Sequence, residues 1–204
     1  MDLRDALAQI AEIRQQMARA QVFRGYRAVT TAFSALVAVA AAAVQRRCWP
    51  TDNDANAVLW LWLVAAGVSL AVVGSEMAVR YRRSGSPLQR EMTLLAVEQF
   101  VPCLVAGALL TFAIVEWASG SFTLLPAIWC VLFGLGVFAS RRVLPRGTFA
   151  VGAWYLLAGL LCARYKLEVH FATRMACAFG GGQLLAAAVL YWTLERDRTE
   201  SSNA

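Results

Sequence analysis

Histidine is nearly absent from this chain of 204 residues: there is one, His170, and neither a second histidine nor an acidic cluster accompanies it. A metal centre needs several converging ligands and a dyad needs a partner, so neither is expected at this position, where a solvated loop residue is the simplest reading. The signatures GxSxG, HExxH and the phosphate-binding P-loop are missing as well. No enzyme activity, metal or cofactor is therefore expected. Charge is also scarce, at 16% of residues against 59% hydrophobic. No polar stretch approaches the roughly 50 residues that a folded soluble domain usually needs.

What the chain has in abundance is apolar sequence of bilayer length. Six runs stand out: Ala28–Val44, Ala57–Val79, Thr93–Val115, Phe122–Ser140, Thr148–Cys162 and Ala172–Leu194. A transmembrane helix needs about 20 mostly apolar residues. The expected fold is all-α: a polytopic transmembrane bundle of six helices in three hairpins (27–195), with a helical segment before it (1–26) and a short tail after it (196–204).

The net charge of +6 is distributed by topology. Fourteen basic residues flank one side: Arg4, Arg14, Arg19, Arg24 and Arg27 before the first run, four arginines between runs two and three, three after run four and two after run six. Five flank the other: Arg46, Arg47, Arg164, Lys166 and Arg174. The positive-inside rule then puts both termini in the cytoplasm, and nucleic acid is not needed to explain the basicity. Trp49, Trp60, Trp62, Trp117 and Tyr165 fall near the outer interface, and Tyr26, Tyr81, Tyr191 and Trp192 near the inner one, as aromatic belts do. The small residues of AVAAAAVQ could invite a signal peptidase. The long charged segment before them is no n-region, and five later spans need an anchored start, so the first run is read as a span.

In the N-terminal segment Leu3, Leu7, Ile10, Ile13 and Met17 recur at spacings of three and four, with Arg4, Asp5, Glu12, Arg14 and Gln15 on the other face and Asp2 placed as N-cap. An amphipathic helix of this kind lies on an anionic membrane surface or pairs through its heptad-spaced positions with a second copy or a membrane-protein partner. Gly25 offers a hinge before the first span.

Polar residues inside the spans are few, so each needs a function or a partner. The stretch TLLAVEQFVPCLVAG holds Glu98, Gln99 and Pro102. Pro102 has no amide proton, so the Glu98 carbonyl loses its helical partner and a polar cluster forms at a kink. Glu76 lies at a comparable depth on span two, one turn before Arg80, its expected i,i+4 partner. Arg27, Arg80, Arg141, Thr30 and Thr31 are candidate partners for Glu98. Either these acids pair with snorkelling arginines and fix the packing, or they carry a proton or cation together with Gln183 on span six. In span six, Ala178, Gly182 and Ala186 make a small-residue stripe that lets helix backbones approach. Gln183 beside it reads as an interhelical hydrogen-bonding group rather than a ligand.

Five cysteines show no metal-ligand spacing. Cys103 and Cys130 sit in apolar runs as small hydrophobes, whereas Cys48, Cys162 and Cys177 fall towards the outer face, where a disulfide stays open.

The segments EIRQQMARAQVFRGYRAV, VEQF, VFASRRVLPR and VGAWYLLAGL resemble a group of small bacterial six-span inner-membrane proteins to which no activity is attached. That resemblance implies a bacterial inner-membrane location and the same topology. Two functions follow. The first is a non-catalytic accessory, sensor or assembly module, contacting its partner through the N-terminal helix and span six. The second is a compact transporter or channel for a proton or small solute that uses Glu98, Glu76 and Gln183.

Overall fold

The computed structural model describes residues 28–51, 54–83, 87–140 and 147–195. The expected N-terminal amphipathic helix, the tail 196–204, Arg27 and Arg141 lie outside the described residues. Every element within them is helical. The chain runs through α1 (Ala28–Cys48), α2 (Ala55–Arg83), α3 (Pro87–Trp117), a 3-10 turn (Ser119–Leu124) leading into α4 (Leu125–Ala139), and α5 (Thr148–Arg164). The last segment joins α6 (Phe171–Met175), a π turn (Ala176–Gly180), α7 (Gly181–Leu190) and a second π turn (Tyr191–Glu195).

Five segments are long and apolar enough to cross a membrane: Ala28–Cys48, Ala55–Val79, Leu94–Trp117, Ser119–Ala139 and Phe171–Thr193. The chain therefore reads as a membrane protein. α5 is apolar but has 17 residues, a rise of about 25 Å against a hydrocarbon core of about 30 Å. Length alone does not make it a sixth span.

Two helix starts are fixed by side chains. Asp54 Oδ1 accepts from the Ala57 amide at 3.0 Å, capping α2, and His170 Nδ1 accepts from the Ala172 amide at 3.2 Å, capping α6. Each bond satisfies one of the orphan N–H groups of a first turn.

The largest interface joins α4 to α5, followed by α3 with α4, α1 with α7, and α1 with α2. α2 and α3, though consecutive, touch little. Glycine sets the α4–α5 spacing. A β-carbon at Gly134 would lie 3.2 Å from the Gly152 carbonyl, and one at Gly159 would lie 3.1 Å from the Ala127 carbonyl. Without a strong hydrophobic drive between helices in lipid, such backbone approach carries association.

The triple glycine of the last segment serves three neighbours. Gly180 faces Val39 of α1, Gly181 faces the Trp154 ring and Gly182 faces the Tyr155 ring, both of α5. Successive residues point about 100° apart on a helix, so three bare positions in a row let α1, Trp154 and Tyr155 close in from three sides. Tyr155, fully buried, centres an aromatic cluster with Phe133 at 4.6 Å and Phe179 at 5.4 Å between ring centroids. A second cluster gathers Trp62, Leu125, Phe171 and Met175 where α1, α2, α4 and α6 meet.

Candidate functional site

Four separate places among the described residues hold the polar groups that bear on function. At the end of the bundle where α1 begins and α2 finishes, the Thr30 hydroxyl donates to Glu76 Oε2 at 2.6 Å. One turn along α1, the buried Ser34 hydroxyl donates to the Thr30 carbonyl at 3.3 Å. Glu76 is half-buried. The side chain of Arg80, its expected partner, lies outside the described residues; the bond described comes from a hydroxyl of a different helix.

Glu98 and Gln99 point apart. On α3 the inward face carries buried Ala96 and half-buried Phe100 and Cys103, and a β-carbon at Gly136 of α4 would meet the Phe100 ring and Cys103. Glu98 shares the outward face with Leu94, Val101 and Val105, all exposed. Only 6% of the apolar window of α3 is buried within the chain, against 44% for α1. Gln99 is half-buried, and its Oε1 is enclosed with no hydrogen-bond partner among the described residues. Pro102 lies inside the helix, which continues through it. Thr30, considered for Glu98, serves Glu76.

The third place lies between α5 and the last segment. Trp154 Nε1 donates to the Ala178 carbonyl at 3.0 Å. That carbonyl belongs to the π turn, where the i→i+5 pattern disturbs the usual ladder. Gln183 lies beside the Tyr155 hydroxyl, at a geometry short of a hydrogen bond, so the buried hydroxyl has no partner among the described residues. Ala178 and Gly182 are buried and Ala186 half-buried, all against elements of the same chain.

The fourth place, at the opposite end from Glu76, was largely invisible in the sequence. Three connections are stitched there onto the start of α6. Arg46 Nη1 donates to the Thr173 hydroxyl at 2.9 Å. His170 Nε2 lies 2.9 Å from the Pro50 carbonyl, so this histidine ties two connections together instead of standing free in solvent. Arg174, only 5% exposed, sends Nε to the Val169 carbonyl at 3.0 Å and Nη1 to the Thr123 and Cys162 carbonyls at 2.7 and 3.2 Å. A buried guanidinium held by carbonyls is tolerable because each donated bond offsets desolvation. Nearby, Trp62 Nε1 donates to buried Gln45, and apart from these places Trp129 Nε1 of α4 donates to the buried Thr111 hydroxyl of α3 at 2.8 Å. The sequence signals were a glutamine closing an apolar run and an arginine opening one.

All five cysteines are free. Cys48 and Cys177 are exposed, whereas Cys130 of α4 and Cys162 of α5 are buried in one core cluster, the Cys162 thiol 4.0 Å from the Arg174 carbonyl. Between α5 and the last segment lies a cavity of about 210 Å³ lined by Trp154, Leu157, Leu161, Cys162, Arg174 and Cys177, among others. Among the described residues no group of three His, Cys, Asp or Glu side chains could hold a metal ion.

No family model, curated protein or solved structure matches the chain.

Proposed function

We propose that this chain is a non-catalytic module of the bacterial inner membrane, with six spans and both termini in the cytoplasm, acting as an accessory, sensor or assembly subunit. The carrying observation is the exposed position of Glu98 on the outward face of α3. It lies four residues beyond Leu94, where the apolar window opens, or about 6 Å into the span at 1.5 Å per residue. A carboxylate facing lipid there costs a few kcal/mol, which a basic or hydroxyl-bearing partner helix would offset. α3 is sparsely buried within the chain, and Gly67 and Gly74 of α2 are likewise uncovered, with nothing within 4 Å of a β-carbon at either. The contact face of this reading therefore belongs to α2 and α3, and the small residues of span six serve internal packing.

The transport reading has less support. Glu76 bonds at the α1–α2 contact, Glu98 faces outward and Gln183 sits beside Tyr155, so the three do not line one path. α5 counts as the sixth span in this proposal, the assignment under which the basic residues divide fourteen to five and both termini are cytoplasmic.

Photo-crosslinking residues at Val101, Val105 and, as a control on α5, Leu160 test the association. All three positions are exposed. In native membranes Val101 and Val105 should capture protein while Leu160 captures lipid. Lipid adducts alone at all three would remove the basis for a partner on α3. Thiol labelling tests the orientation: Cys48 should react from outside, and a cysteine placed at Ser84 from inside only.

A further inference from the structure

The cavity between α5 and the last segment is a slot with two unlike ends. On α5 its lining runs from Trp154 to Tyr165, a rise of about 16 Å, close to half of a hydrocarbon core of about 30 Å. On the other wall it takes in Thr173, near the start of the apolar segment Phe171–Thr193, and Ala178 further in. The slot therefore follows one leaflet, from the membrane surface at Tyr165 and Thr173 to the interior at Trp154 and Ala178. At the deep end the bond from Trp154 Nε1 to the Ala178 carbonyl ties the walls together. Along the side Leu157 and Leu161 are exposed, on a helix surface suited to lipid.

Exposed cations gather at the shallow end. Arg46 Nη1 donates to the Thr173 hydroxyl at 2.9 Å, which holds one guanidinium against one wall. Arg164 Cζ lies 5.1 Å from the centre of the Tyr165 ring, which holds a second against the other wall. Both arginines are exposed, and Lys166 adds a charge to the same turn. Glu168 opposes them, accepting from Arg164 Nη1 at 3.1 Å. A guanidinium has five N–H donors, and these contacts take one from each arginine. Arg174 differs: its Nε and Nη1 are held by carbonyls, so it forms part of the wall.

We propose that the slot binds one anionic glycerophospholipid, with an acyl chain between α5 and the last segment and the phosphodiester on Arg46 and Arg164. Water would find few polar partners along the apolar walls, and an empty slot forfeits contacts on both of them. An acyl chain is what the bilayer supplies to such an opening. The volume of about 210 Å³ is about seven times the roughly 30 Å³ of a water molecule, room for part of one chain and not for a second. The headgroup follows from charge: guanidinium groups bind phosphate oxygens through charge-assisted, often paired bonds. A zwitterionic lipid would bring an ammonium group into a cluster that is already cationic. One phosphate shared by Arg46 and Arg164 would join the connection after α1 to the end of α5, so the content of anionic lipid would set how firmly this end of the bundle is closed. The inference stands apart from the partner face on α3, and either can fail alone.

The test uses the full chain in nanodiscs of phosphatidylcholine, alone or with a minor share of phosphatidylglycerol carrying the same acyl chains. Cys177 lines the slot and Cys48 lies outside it, and both thiols are exposed. Brief treatment with N-ethylmaleimide, read by peptide mass spectrometry, therefore compares a slot thiol with a reference in one sample. Phosphatidylglycerol should slow labelling of Cys177 relative to Cys48, and native mass spectrometry should find one phosphatidylglycerol retained per chain. Arg46→Gln combined with Arg164→Gln should weaken retention by about ten-fold or more and restore labelling of Cys177, because the charge-assisted bonds are gone. Equal Cys177 labelling in the two kinds of nanodisc would overturn the proposal, since either the headgroup is not read or the lipid sits elsewhere. Unchanged retention in the double arginine variant would overturn it as well. The comparison of lipids uses the unaltered chain and needs no variant to fold.

Discussion

The indole N–H of Trp62 on α2 donates to Oε1 of Gln45 on α1 at 2.6 Å, and both side chains are buried. The pair joins two helices through a bond that neither water nor lipid can replace. Gln45→Leu should strand the indole and cost on the order of 1 kcal/mol or more, and Trp62→Phe should strand the amide. The double variant should recover part of the loss, with a coupling of about 0.6–2 kcal/mol. Detergent unfolding of the four proteins gives the cycle. Strictly additive losses would mean that the bond contributes nothing beyond packing.

Glycine substitutions should divide by location. A methyl at Gly182 would press on the Tyr155 ring, which is fully buried and cannot swing away, so Gly182→Ala should cost about 1–3 kcal/mol by overpacking. Gly67→Ala and Gly74→Ala meet open space and should leave the isolated chain unchanged or stabilise it by up to about 1 kcal/mol, since alanine orders more readily in a helix. Equal destabilisation by Gly67→Ala and Gly182→Ala would contradict this division.

That contrast also marks where sequence reading stops. Helix positions were legible because a span must be a long apolar run: the run Ala57–Val79 lies within α2, and Ala172–Leu194 begins one residue after α6 does. Assigning glycines to neighbours was not legible. A period of four groups Ala178, Gly182 and Ala186 on one stripe, but the π turn between Ala176 and Gly180 shifts the phase, and three successive glycines serve three partners. The hydroxyl that bonds Glu76 belongs to Thr30, 46 residues away, a partner that spacing within one helix does not indicate. That Cys130 and Cys162 share one core cluster depends on which helices are neighbours, which periodicity within one helix does not encode.

His170 makes two bonds that together require a particular tautomer. Nδ1 accepts from the Ala172 amide, so the proton sits on Nε2 and is donated to the Pro50 carbonyl at 2.9 Å. His170→Ala removes the cap and the bridge and should lower stability by about 1 kcal/mol or more. His170→Asn keeps an acceptor suited to the cap but is too short for Pro50, and should fall between. Hydrogen exchange at the Ala172 amide separates the two contributions: it should accelerate in His170→Ala and stay slow in His170→Asn. Equal protection in both variants would show that the imidazole does not hold the start of α6.

Glu98 distinguishes association from transport by one substitution. The carboxylate faces away from the rest of the described bundle, so Glu98→Leu should leave the melting temperature of the isolated chain unchanged or raise it, because an apolar side chain suits a lipid-facing position. The same variant should abolish protein capture from Val101, since the group that a partner would bond has gone. Glu98→Gln should retain part of that capture, as an amide still offers an acceptor, though a weaker one than a charged oxygen. A proton carrier behaves in the opposite way: flux into wild-type proteoliposomes would vanish in Glu98→Gln, where no proton can be taken up, while crosslinking at Val101 would persist. The absence of any wild-type flux, with capture lost in Glu98→Leu, is the expected result. It follows from a carboxylate placed where nothing described within its own chain can satisfy it, on the least buried of the five long apolar segments.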